Sequence, residues 1–308
     1  LLQEVREDEM VGFVNSKLEW LFGTALEERG PNGWQSIAFF DQPEIDGWLR
    51  QQAKLHPNVS TNVGAEVTTI SDQGDHVLIT SEDLDNETNG VISASYLIGC
   101  DGASSAVRKQ IGSGWHDLGY DRDWLVLDII AKPGHTLGVR TMQICDPDRL
   151  ATYVCTKDPF RRWEFRLNAG ETNEEMLHPD KIKSLIEEWT PAGTYEVRRA
   201  AIYTFHAATA DCWRQGRIFI AGDAAHQTPP FLGQGMNAGI RDVLNLSWKL
   251  PMVLNGQADD ALLDTYQTER DSHAHDLVEW AVSIGKLMEF LAATELSERE
   301  GTPPPQPM

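Results

Sequence analysis

The most constraining stretch of this chain runs from Arg217 to Asn237. It opens with an apolar run, Ile218-Phe219-Ile220-Ala221, that stops at Gly222-Asp223. A short apolar run bounded by a turn residue reads as a buried strand of a parallel sheet. A carboxylate then stands at the strand's carboxyl end, the edge at which open α/β sheets bind ligands. Asp suits a hydroxyl-rich ligand there, because hydroxyls donate to carboxylate oxygens. Thr228-Pro229-Pro230-Phe231-Leu232 follows as a stiffened loop, and Gly233-Gln234-Gly235-Met236-Asn237 opens a helix. Glycine lets backbone approach a flat ligand, and N–H groups at a helix start stabilise negative charge. Gly233, Gly235 and Gly239 also read as G-x-G-x-x-x-G, but Gly233 comes ten residues after Asp223. A dinucleotide fingerprint follows its strand directly, so that reading is rejected.

A second run has the same logic. Tyr96-Leu97-Ile98-Gly99 leads into Cys100-Asp101-Gly102, and a helix is expected from Ser104 to Gly112, with Arg108 projecting a cation. Ordinary Asp and Ser caps explain this run about as well as a ligand site does. Elsewhere, Pro43–Leu55 reads as a helix with Ile45, Trp48, Leu49 and Leu55 on an apolar face. Strands are expected at Val59–Ile70, His76–Thr80 and Val91–Gly99. Trp124–Ala131, Val139–Cys145, Thr152–Cys155, Trp163–Leu167 and Glu196–His206 read as an antiparallel sheet inserted into the α/β framework. Pro179–Trp189 reads as a helix. The helix from Gly235 has Met236, Ile240, Val243, Leu244, Ser247, Trp248 and Leu250 on one side and ends or kinks at Pro251. Ala261 to Leu291 is expected to be helical, with an extended tail at Gly301–Pro305. The first 30 residues show no clean period.

Composition narrows the partners. Lys and Arg number 26 against 47 Asp and Glu, a net charge of −21. That disfavours nucleic acid and an anionic membrane surface, though not an anionic small molecule held by a local field. The four cysteines have no CxxC spacing and suit a reducing, cytoplasmic compartment. No apolar stretch approaches the length of a membrane span. His273 and His275 stand two apart and face different sides of a helix, which makes a metal site improbable.

The Asp101-Gly102 and Gly222-Asp223 runs together resemble the motifs of class A FAD-dependent aromatic hydroxylases, the p-hydroxybenzoate hydroxylase fold. The branch of 3-(3-hydroxyphenyl)propionate hydroxylase and phenol monooxygenases is the most similar, through Tyr203-Thr204-Phe205-His206, Trp213-Arg214-Gln215-Gly216-Arg217 and Phe40-Asp41-Gln42-Pro43. The resemblance implies a mixed α/β fold: a Rossmann-like FAD-binding domain of the GR2 type, an inserted antiparallel substrate sheet and a C-terminal helical segment. The implied division is a partial FAD domain over residues 1–112, a substrate sheet over 113–206, the rear of the FAD domain with long helices over 207–300, and a tail over 301–308. Nothing in residues 1–33 matches the family's opening G-x-G-x-x-G, so the front of the cofactor domain is expected to lie outside this chain.

By the same resemblance, Gln42, Asp101, Arg108, Gly222, Asp223, Gly235, Met236 and Asn237 would hold FAD. Pro230 and Phe231 would lie beside the substrate, and His206 is a candidate polar group near the phenol. The implied chemistry is reduction of FAD by NAD(P)H, capture of O₂ as a C4a-hydroperoxide and transfer of OH to an activated ring. The implied partners are a small aromatic substrate and O₂, with room for a homodimer. Arg140, Arg161, Arg166 and Arg198 are candidate partners for a substrate carboxylate, although a strand arginine more often marks a solvated face. Two alternatives stand beside this reading: a non-catalytic ligand-binding remnant, and an epoxidase or halogenase on the same fold.

Overall fold

The computed structural model describes residues 5–306 except 7–9, 26–29, 35–36, 85–87 and 139. It divides into two compact units. The first comprises Leu1–Ser60, Arg122–Thr204 and Lys286–Met308. Its centre is a seven-stranded sheet in the order Tyr195–Phe205, Arg122–Ala131, Phe160–Arg166, Leu150–Cys155, Thr141–Cys145, Met10–Val14, Trp20–Ala25. Side chains alternate between faces along a strand. Leu125, Leu127, Met142, Ile144, Tyr153, Trp163 and Phe165 therefore share one face, and they form a core with Ile182, Leu185 and Ile186 of helix Pro179–Glu187. Trp163 stacks on Phe165 at 5.1 Å.

The sheet differs from expectation in two ways. It is mixed rather than antiparallel, because Met10–Val14 joins Thr141–Cys145 in parallel. And the opening residues, which show no period, supply a hairpin to it. Gly12 pairs with Gly23 across that hairpin, which removes two side chains from the alternation, while Phe13 stacks on Phe22 at 4.5 Å. The Asn15 side chain accepts from the N–H groups of Lys17 and Glu19 and closes the turn. Val139, expected to open a strand, lies outside the described residues. The helix expected over 43–55 forms at Gln42–Lys54, yet none of its residues is buried, and Trp48, Leu49 and Leu55 are exposed.

The second unit comprises Thr61–Asp121 and Phe205–Gly285. It holds an antiparallel meander of Ala65–Asp72, Val77–Asp83 and Thr88–Ala94. It also holds a parallel pair, Ile218–Ile220 beside Leu97–Gly99. The run Val91–Gly99, expected as one strand, is split at Ser95-Tyr96. There the Arg217 side chain donates to the Ser95 carbonyl at 3.1 Å and lies over the Tyr96 ring. Trp213, Phe219, Ile220, Tyr266 and Leu246 are central to this unit's core.

Helix Gly235–Leu254 runs through Pro251 instead of stopping there. Its apolar side is mostly uncovered, although Leu250 at its far end packs against the core. Met236, Ile240, Val243, Leu244 and Trp248 are exposed, and the buried line is Ala238, Asp242, Leu246 and Lys249. The helix expected to end near Leu291 continues from Ala261 to Glu300. Among the described residues, no helix is long and apolar enough to cross a membrane, and no His, Cys, Asp or Glu cluster could hold a metal ion.

Candidate active site

The two Asp-bearing runs meet because their strands are neighbours. Ile220 pairs with Gly99 in the parallel ladder, so Asp101 and Asp223 follow the carboxyl ends of adjacent strands. Gly99 is required by packing: a Cβ there would lie 2.5 Å from the Cβ of Val107. That close approach seats the short helix Ala106–Gln110 on the strand end. Asp101 braces its start, accepting from the Ser105 hydroxyl at 2.5 Å and from the Val107 N–H at 3.0 Å. Burial alone would raise the Asp101 pKa, but these donors hold it below the usual carboxylate value. Ser105, not Ser104, caps the helix by accepting from the Arg108 N–H.

Arg108 is 5% exposed and ties the two runs together. Its Nη1 donates to the Ala103 carbonyl at 3.0 Å and to the Ala224 carbonyl at 3.4 Å. Its guanidinium lies 3.9 Å from the centre of the Trp115 ring. Burial lowers its pKa, and the charge of Asp101 opposes that effect. Arg108 thus braces both turns from beneath.

A residue that the sequence argument missed organises the rest. Asp242 is fully buried. It accepts from the Gly222 N–H at 3.0 Å, from His226 Nε2 at 2.7 Å and from Arg270 Nε at 2.9 Å. Burial pushes its pKa up, but His226, the Gly222 N–H and Arg270 hold it below the ordinary value. Gly222 has φ +61°, and a Cβ on Gly239 would sit 3.3 Å from the Gly222 Cα. Helix Gly235–Leu254 therefore touches the Gly222-Asp223 turn backbone to backbone, pinned by Asp242. The available signal was spacing: Gly235, Ala238, Gly239 and Asp242 form a helical line of small and polar residues.

That helix begins without a side-chain cap. The N–H groups of Gly235, Met236 and Asn237 therefore remain at its positive end, while Asn237 Nδ2 donates to the Gly233 carbonyl. Asp223 is exposed and has no protein partner among the described residues. A free carboxylate and an uncapped helix start fit a group that carries hydroxyls and an electron-rich ring edge, as FAD does. Pro230 begins a tight turn that ends at Gly233. Phe231 is 8% exposed and meets Tyr120 and Phe205 edge-on at 6.1 and 6.4 Å. His206, next to Phe205, is half-exposed and pairs with Asp121 at 2.6 Å. Gln42 belongs to the other unit, where it opens helix Gln42–Lys54. In that unit Arg161 pairs with Asp158, Arg166 with Glu289 and Arg198 with Asp41, while Arg140 is exposed.

Comparison with known proteins shows the family of the chain. Residues 6–281 match the model of the family described as "FAD binding domain". A probable NADH-specific resorcinol 4-hydroxylase of Rhodococcus jostii (strain RHA1) is 35% identical over 94% of this chain and 54% of the relative. The 3-(3-hydroxy-phenyl)propionate/3-hydroxycinnamic acid hydroxylase of Escherichia coli (strain K12) is 34% identical over 83% of this chain and 46% of the relative. The chain thus spans about half the length of these relatives. Among solved structures, aklavinone-11 hydroxylase with FAD and aklavinone has a TM-score of 0.80 at 26% identity, covering 91% of this chain and 56% of that one. The p-nitrophenol 4-monooxygenase of Pseudomonas putida DLL-E4 shares the fold, with a TM-score of 0.83 at 19% identity, covering 97% of this chain and 76% of that one. The chain belongs to the FAD-binding-domain family.

Proposed function

We propose that this chain is the FAD-holding and ring-holding part of an NAD(P)H-dependent monooxygenase that hydroxylates a phenolic substrate. The observation that carries the reading is the joined pair of strand-end turns, with Asp223 free and the start of helix Gly235–Leu254 uncapped. In this reading Asp223 accepts from the ribityl hydroxyls. The N–H groups of Gly235, Met236 and Asn237 meet the pyrimidine edge and stabilise the negative charge that gathers there on reduction. FAD, when bound, supplies the reductive activation of O₂. The protein's task is then to orient the ring and keep water out. Pro230 is a rigid wall suited to the first task, and the Phe231, Tyr120 and Phe205 cluster is suited to the second.

The names of the relatives support a hydroxylated aromatic ring as the substrate class. The chain division over 1–112, 113–206 and 207–300, a homodimeric assembly and a cytoplasmic setting belong to the same proposal. None of the four cysteines forms a disulfide among the described residues, as in a reducing compartment. The test is to purify the protein, record its flavin absorbance with and without added FAD, and follow NADH and NADPH oxidation with resorcinol and 3-hydroxyphenylpropionate. Bound flavin and a hydroxylated product are expected. A protein that takes up no FAD refutes the reading, and so does NAD(P)H oxidation that yields only peroxide with every phenol.

A further inference from the structure

We propose that an arginine-lined cavity in the first unit takes the diphosphate of a reducing dinucleotide of the NADH class, an inference that rests on the function proposed above. The cavity has a volume of about 700 Å³ and lies between helix Gln42–Lys54 and the sheet strands Arg122–Ala131, Phe160–Arg166 and Tyr195–Phe205. That volume is within the range of small-molecule sites. Five guanidiniums and three carboxylates line it, a local excess of two positive charges in a chain of net charge −21. A concave patch of sign opposite to the whole protein's field is a focusing site for an anion.

The guanidiniums are incompletely spent. Arg162 Nε and Arg199 Nη1 share one carboxylate, that of Asp128, at 2.8 and 3.7 Å. Arg198 reaches Asp41 at 3.2 Å. Arg50, two turns along the helix from Gln42, is exposed and has no ion-pair partner among the described residues. Arg161 is 6% exposed and gives Nη2 to Asp158, while its Nε finds no acceptor among the described residues. Planar guanidiniums bind phosphate oxygens two at a time, so two arginines around one carboxylate can receive a second anion between them. Asp158 neutralises Arg161 from outside the lining, so the cations left for a ligand are Arg50 and the pair that shares Asp128, which a diphosphate has enough oxygens to meet together. A single carboxylate would leave one guanidinium unpaired. The Rhodococcus jostii relative is named for NADH, a reductant with such a diphosphate.

Gln42 lines the same cavity, so the diphosphate of FAD itself is the competing source of the same chemistry. The experiment separates the two. Binding of NADH, ADP-ribose and inorganic pyrophosphate to the purified full chain is measured by calorimetry for wild type, Arg50→Glu, Arg199→Glu and Arg50→Gln, with flavin content recorded for each. The two Glu variants are expected to weaken NADH and ADP-ribose about tenfold each, equivalent to about 1.4 kcal/mol. Arg50→Gln should weaken them less, and the differences should shrink as salt is added. Flavin content should not change. Loss of flavin with NADH affinity intact assigns the cavity to FAD and overturns the proposal. Unchanged NADH and ADP-ribose affinity in folded variants also overturns it, whatever the change for inorganic pyrophosphate. A wild type that binds FAD and NADH while its variants match it refutes this inference alone, whereas a wild type that binds neither refutes the proposed function as well.

Discussion

Replacing Asp242 tests whether one buried carboxylate sets the geometry of the cofactor turn. Its two oxygens accept from the Gly222 N–H at 3.0 Å, from His226 at 2.7 Å and from Arg270 at 2.9 Å. Asp242→Asn keeps the size but provides one oxygen and one NH₂, so the amide must face at least one donor with another. Arg270, 7% exposed, then lacks a counter-charge. Breaking a buried ion pair costs about 3–5 kcal/mol, because the remaining charge is stranded. A loss of about 3 kcal/mol is expected in urea unfolding followed by tryptophan fluorescence, to which Trp213, 5.4 Å from His226, contributes. Because the Asp242 pKa is held below its ordinary 3.8, its contribution is present above that value and is lost as pH falls through the lower native value. The triple variant Asp242→Leu, His226→Phe, Arg270→Met removes the stranded charge along with its partners and should recover most of the stability. It should not recover FAD affinity, because the Gly222 N–H still lacks its acceptor. An Asp242→Asn protein within about 0.5 kcal/mol of wild type, the range of an ordinary surface change, would refute the reasoning. So would a triple variant that binds FAD at full strength.

Two further substitutions give sharp outcomes. Glu164, 6% exposed, has its pKa raised from 4.5 to about 7 by burial, with Arg162 opposing and Asp128 adding to the rise. The native state therefore keeps a proton that the unfolded chain releases. This contribution to stability is full below 4.5 and is lost as pH rises through about 7. Glu164→Gln should remove that slope and stabilise the protein by roughly 3 kcal/mol above neutral pH while changing little near pH 4.5. Urea midpoints across pH check this, and parallel pH profiles for the two proteins count against it. Gly99→Ala should cost about 1–3 kcal/mol by overpacking against Val107. Val107→Ala should rescue it only in part, because it removes the Cγ contacts at 2.7 and 2.8 Å but keeps the Cβ at 2.5 Å; full rescue, read from the same urea midpoints, would refute the Cβ clash.

What could be read from the sequence was local. Strand, Gly-Asp and Pro-Pro signals lie within a few residues of one another, and their physics is short-range. The hydrophobic pattern of helix Gly235–Leu254 was equally plain, yet most of the residues in it are exposed. Periodicity identifies which apolar residues share a face but not which face is covered. Here the covered side is chosen by small size, because Gly239 must come within 3.3 Å (measured from a Cβ placed on it) of the Gly222 Cα. Leu, Ile or Trp at that line would hold the helix off the turn. Spacing puts Asp242 on that line of small residues, but its bonding is out of reach of any local rule, because its partners are 16, 20 and 28 residues away. The hairpin at Met10–Ala25 depends on a parallel ladder with Thr141–Cys145, and no period within the hairpin announces a partner so distant. The proposed ligand-facing groups were legible because they sit at chain breaks that sequence marks with Gly, Asp and Pro. The groups that hold them, Arg108 and Asp242, are buried ions whose bonding is tertiary. On the proposed function, a change in Asp242, which never meets the ligand, is therefore expected to weaken FAD binding as a change in Asp223 would.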